Sequence, residues 1–169
     1  MWVVERTRCN NEASPVFGRL IGAEKTACTT AVAEDANMGN IVAQPVRNPT
    51  DLQEATQITR MNNNRWAVVL GNGYNSANQR PVLLVQYLDG SKELLRIPAT
   101  TDTAGTGKAN DNGLSAPRLV DLNGDERPDI AYAGDNQGNL WKFDLTSYNA
   151  SDWSVAFGGA PLFTAQRPA

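Results

Sequence analysis

Residues 129–147 read DIAYAGDNQGNLWKFDLTS. Two short runs rich in aromatic and branched residues flank the turn formers Gly134, Asp135, Asn136 and Gly138, which is the pattern of a β-hairpin rather than a helix. Upstream, SAPRLVDLN (115–123) supplies a strand before it, and downstream WSVAFGGAPLFTA (153–165) supplies one after it. The same order occurs earlier in the chain: ATQITRM (55–61), RWAVVLGNGYN (65–75), RPVLLVQYL (80–88) and KELLRIP (92–98), separated by NNN and DGS turns. A linker without large apolar residues, ATTDTAGTGKANDNG (99–113), joins the two units.

The units can be laid over one another. Leu70-Gly71-Asn72 falls on Ala133-Gly134-Asp135, and Val85-Gln86-Tyr87 on Trp141-Lys142-Phe143. Two four-stranded antiparallel units in series are the pattern of β-propeller blades. The fold class is therefore all-β, a partial propeller of about two blades over residues 56–169 behind an irregular N-terminal segment, 1–55. Within that segment MWVVERT (1–7) reads as a strand of a preceding blade, MGNIVAQPV (38–46) as the start of the next, and residues 8–37 as an insertion. The stretch PTDLQEATQITRM holds at most a short turn of helix.

Composition narrows the function. The 169 residues are 41% hydrophobic and 20% charged, as in a soluble globular protein. A net charge of −3 with scattered basic residues argues against nucleic acid or an anionic membrane surface, and no stretch has the length of a membrane helix. The opening residues lack the pattern of a secretory signal. The chain contains no histidine, which removes Ser-His-Asp and Cys-His catalysis and most zinc sites, so a non-enzyme is expected. The phosphate-loop lookalike DTAGTGKA (102–109) has Asp102 where the first glycine belongs and Ala109 in place of the Ser/Thr, and reads as a surface loop. Cys9 and Cys28 are the only cysteines; as residues they are equally a disulfide or two free thiols.

The feature that asks for chemistry is DLNGDERPD (121–129). It crowds Asp121, Asn123, Asp125 and Asp129 into one turn, whereas the corresponding turn of the first unit, MNNNRW, carries no carboxylate. The turn geometry itself therefore does not require acids. Calcium takes six to eight oxygen ligands, and alternate positions of a tight loop can turn Asp121, Asn123 and Asp125 inward together. Gly124 would relieve the backbone, the Arg127 carbonyl would follow, Asp129 would close the shell, and Glu126 would fall out of phase. Magnesium suits such a loop less, because it keeps near-octahedral geometry and several waters. The bland alternative is an ordinary turn, since Asp, Asn, Gly and Pro are the commonest turn formers. Two other features have bland readings: Trp141 is a core aromatic before it is a sugar platform, and GNGYNS (71–76) a strand-ending turn before it is an anion cradle.

RWAVVLGNGYNS, NGLSAPRLVDLNGDERPDIAYAGDNQGNLWKFDL and LFTA together resemble the C-terminal β-propeller domain of the PilY1/PilC-type pilus biogenesis proteins, over residues 56–165. The resemblance implies calcium in the acidic loop, held by Asp121, Asn123, Asp125, Asp129 and the carbonyl of Arg127, and a part in pilus extension, retraction and adhesion. It implies passage through the periplasm to the cell surface, partners among pilus components or host surfaces, and, in that setting, a disulfide between Cys9 and Cys28. That family's propeller has more blades than 169 residues hold, and self-association into a closed ring is one way to cover the ends. The runner-up is the FG-GAP/VCBS propeller repeat, which also carries a calcium loop before a strand and would make the chain a glycan- or protein-binding domain. Such repeats rarely continue with AGDNQGNLWKFDL. A hydrolase using the paired aspartates is the weakest alternative.

Overall fold

A computed structural model describes residues 36–42, 44, 46, 47, 50 and 56–165. The strand expected at 1–7, both cysteines and most of the expected insertion lie outside the described residues. Two antiparallel sheets follow one another along the chain. The first is β1 (Ile58–Arg60), β2 (Trp66–Gly71), β3 (Val82–Tyr87) and β4 (Leu94–Pro98), in that spatial order. The second is β5 (Arg118–Val120), β6 (Ile130–Gly134), β7 (Asn139–Asp144), β8 (Ser154–Val155) and β9 (Phe163–Thr164). Residues 38–46, expected to start the next blade, form no strand among the described residues, only an isolated bridge between Asn40 and Tyr74.

The stretch 153–165, expected as one strand, is two. β8 pairs with the end of β7 (Phe143↔Val155, Asp144↔Ser154) and β9 with its beginning (Asn139↔Thr164, Leu140↔Phe163), so both fill the fourth place of the blade. Between them Phe157, Gly158 and Gly159 all take left-handed backbone (φ 56°, 62° and 86°), which turns the chain out of the sheet before it returns.

The two blades superpose by their corners. Asn72 donates its N–H to the Val82 carbonyl and accepts the Val82 N–H on Oδ1, both at 3.0 Å. Asp135 does the same with Asn139, at 2.9 and 2.8 Å. Gly71 thus corresponds to Gly134, as the sequence suggests, but the register then sets Trp141 beside Leu84, since Gly71 pairs Leu83 and Gly134 pairs Leu140. The expected match of Trp141 with Val85 is one residue out.

The reason lies in how blades stack. The shared core takes Ala67, Val69, Leu83, Val85 and Tyr87 from the first blade, and Ala131, Ala133, Trp141 and Phe143 from the second. In corner register these are opposite faces of equivalent strands, as stacking in series requires. Because side chains alternate with a period of two, matching the sequences by burial slides the register by one residue. Each large side chain buried in this seam contributes about 2 kcal/mol relative to leaving it exposed, so the seam dominates the stability of the pair.

The connector into the second blade runs along the same seam. Gly73 donates its N–H to the Leu114 carbonyl, Leu114 its N–H to Asn72 Oδ1, and Ser115 its N–H to the Gly134 carbonyl, at 2.9, 3.0 and 2.9 Å. The backbones approach so closely that a Cβ on Gly71 would collide with the Ser115 carbonyl, and one on Gly113 with the Gly73 carbonyl.

Candidate functional site

The acidic loop joins β5 to β6, so its first and last aspartates sit where two paired strands hold the chain together. The Asp129 N–H donates to the Val120 carbonyl at 2.9 Å and closes the neck. Above it each alternate side chain turns back on its own backbone. Asp121 Oδ1 accepts the N–H groups of Asn123 (3.1 Å) and Gly124 (2.7 Å), and its Oδ2 accepts that of Glu126 (2.8 Å). Asn123 Oδ1 accepts the Asp125 N–H at 2.9 Å, and Asp125 Oδ1 the Arg127 N–H at 3.1 Å. Gly124 and Glu126 take left-handed backbone, φ 81° and 64°, which winds the loop into a compact coil.

The electrostatics follow from these contacts. Desolvation pushes the Asp121 carboxyl upward, but the N–H groups of Gly124, Glu126, Asn123 and Asp125 outweigh it, and the group lies below the usual aspartate range. Asp121, Asn123, Asp125 and Glu126 are exposed, whereas Asp129 is buried, with 4% of its surface accessible. Its Oδ2 accepts the Leu122 N–H at 2.9 Å. Its Oδ1 accepts from Asn62 Nδ2 at 3.2 Å, and that same amide donates to the carbonyls of Pro128 (3.1 Å) and Leu145 (2.9 Å). The carboxylate-free turn of the first blade thus grips the base of the acidic loop of the second.

Asp121, Asn123 and Asp125 are brought together along one coil, with the Arg127 N–H tied to its last turn. Asp129 stands at the buried base. Among the described residues no three Asp, Glu, Cys or His side chains form a metal-binding group by themselves. A cation here would therefore draw on the Asn123 amide oxygen and a backbone carbonyl as well as on carboxylates, the mixed oxygen set that suits calcium.

Asp135, which the sequence marks only as a turn former, is the most heavily bonded side chain of the second blade. Oδ1 accepts the N–H groups of Gln137 and Asn139, and Oδ2 accepts from Asn112 Nδ2, Asn139 Nδ2 and Trp141 Nε1, all at 2.8–2.9 Å. Only the spacing of Asp135, Asn139 and Trp141 in AGDNQGNLW hints at this. Trp141 is fully buried, which removes it as a sugar platform. In GNGYNS the Asn72 and Gly73 N–H groups are spent on Val82 and Leu114, so the segment is a corner of the fold.

The comparisons with known proteins agree with this architecture. Residues 33–165 match the PilY1 beta-propeller domain. The chain is 40% identical over 124 residues to the type IV pilus biogenesis factor PilY1 of Pseudomonas aeruginosa, covering 64% of the chain and 10% of that protein. It is 37% identical over 120 residues to a PilY1 homologue of Xylella fastidiosa, covering 66% of the chain and 8% of that protein. The crystal structure of the P. aeruginosa PilY1 C-terminal domain superposes with a TM-score of 0.63 at 35% identity, covering 80% of this chain and 28% of that one. The chain thus spans about a tenth of the length of the curated relatives it matches. By family match, relatives and architecture alike, it belongs to the PilY1 β-propeller family.

Proposed function

We propose that this chain is a calcium-stabilised, non-catalytic module of a type IV pilus biogenesis factor, acting at the cell surface through contacts with pilus components or host ligands. The observation that carries the calcium reading is the run of side-chain bonds from Asp121, Asn123 and Asp125 to N–H groups two residues on, which winds alternate oxygens into one coil. Asp121, Asn123, Asp125, the carbonyl of Arg127 and Asp129 would hold the ion. Bound there, calcium neutralises carboxylates that otherwise repel one another, and couples the exposed coil to a base gripped by the other blade. A part in pilus extension and retraction follows if ion binding sets the stiffness of that seam.

Calorimetric titration of calcium into the chelator-stripped protein tests it. Wild type should bind one ion, Asp125→Ala should bind much more weakly, and magnesium should compete poorly. Equal calcium binding by both proteins, or none by wild type, would leave the loop a turn. Acid should act like chelation, because protonated carboxylates no longer serve as ligands.

A further inference from the structure

At the end of the first blade a cleft of roughly 160 Å³ opens between Leu70, Leu114 and the segment 40–42. Among the described residues that line it, none is charged. Gln57 lines it with 1% of its surface exposed, and among the described residues neither its Oε1 nor its Nε2 has a hydrogen-bond partner. A buried amide left without partners is a rare and costly feature, and both its donor and its acceptor are unused. At the rim Ile41 and Val42 are exposed, and their backbone makes no hydrogen bond among the described residues, although the adjoining Asn40 is bridged to Tyr74.

We propose that this cleft is a binding site for an uncharged, extended peptide segment with one apolar side chain. The segment lies beside Ile41 and Val42 and bonds their unused main-chain groups. Its apolar side chain enters between Leu70 and Leu114, and a carboxamide or peptide group satisfies both atoms of Gln57. An amide is the group that complements an amide at both ends, and a charged side chain would be desolvated there without a counter-charge. None of residues 121–129 lines the site, and binding there does not depend on calcium.

The test is a titration of the whole chain, with chelator present, using the blocked peptide acetyl-Gly-Leu-Gly-Ala-amide and its Leu→Asp counterpart, followed by amide NMR. The leucine peptide should shift the Gln57 side-chain NH₂ and the Ile41 and Val42 amides, and the aspartate peptide should bind at least about tenfold more weakly. Gln57→Met should weaken binding by about tenfold while melting no lower than wild type, since it removes an unsatisfied buried amide. No shift at those three residues, equal binding of the two peptides, or undiminished binding by a folded Gln57→Met protein would each overturn the proposal. Loss of calcium binding in the separate calorimetric experiment would leave it standing.

Discussion

The turn after β1 and the loop after β5 stand at the same place in successive blades and are held by different means. In the first, Arg65 lies 3.8 Å over the Tyr87 ring, pairs with Asp89 and Glu93, and bonds the Asp89 carbonyl, so a cation built into the chain satisfies the nearby acids. In the second, Asp121, Asp125 and Asp129 make no ion pair with a cation among the described residues, and their oxygens are met by N–H groups instead. One turn is complete as folded, while the other keeps spare oxygen valence. That difference, rather than acidity alone, is why we propose residues 121–129 as the ligand site.

The corners give the largest expected effect. Asn72 and Asp135 occupy equivalent places, yet Asn72 Nδ2 donates to the carbonyls of Asn37 and Arg80, whereas Asp135 Oδ2 only accepts. Asn72→Asp would aim a fully buried carboxylate at two carbonyls and should cost about 4 kcal/mol in urea denaturation. The reverse swap, Asp135→Asn, turns an NH₂ toward donors and should cost about 3 kcal/mol. Neutral swaps would mean that the blades are interchangeable at this position.

Asn62→Ala probes the contact between the two turns. It deprives buried Asp129 and two carbonyls of their shared donor, and should destabilise by about 2–3 kcal/mol in the same assay. It should also weaken calcium binding, because Asp129 loses its brace; unchanged affinity would separate the base of the loop from the ion.

Calcium itself should stabilise by about 2.7 kcal/mol at a hundredfold excess over Kd, read as a rise in Tm. Asp125→Ala should abolish that rise and change the calcium-free protein little, because the bond it loses, from the Arg127 N–H, is exposed and one carboxylate leaves an acidic turn.

The smallest effect belongs to the first turn and reports its built-in cation. The side-chain bond from Arg65, with that from Ser91, lowers the Glu93 carboxyl from its ordinary 4.5 to about 2. A depressed acid contributes stability that is full above its unfolded pKa and is lost as pH falls through the folded one, so this contribution fades between about 4.5 and 2. Both partners are solvent-accessible, so the effect should be small and should shrink in molar salt. Glu93→Gln should flatten the acid dependence of unfolding in that window, and an unchanged profile would assign it to other groups.

Much of this was legible in the chain. Strands β1 to β7 announce themselves by short apolar runs between Gly, Asn and Asp turns, because a blade is built from local hairpins. The one-residue register error between Trp141 and Val85 was built into reading by burial, since adjacent blades bury opposite faces. The split of 153–165 depends on three successive left-handed residues, one of them Phe157, which no propensity marks. Asn62 reaches Asp129 across 67 positions, and such a contact leaves no local pattern at either end. The acids at 121–129 are visible in the sequence, while Asn62, which braces Asp129 at their base, needed the fold.

Hydrogen exchange of backbone amides, compared in calcium and in chelator, tests the contrast between the two turns most directly. The N–H groups of Asn123, Gly124, Asp125, Glu126 and Arg127 should exchange markedly more slowly with calcium, magnesium should protect them little, and those of Asn64 and Arg65 in the first turn should not respond. Unchanged exchange at 123–127, or equal slowing of both turns, would contradict the account.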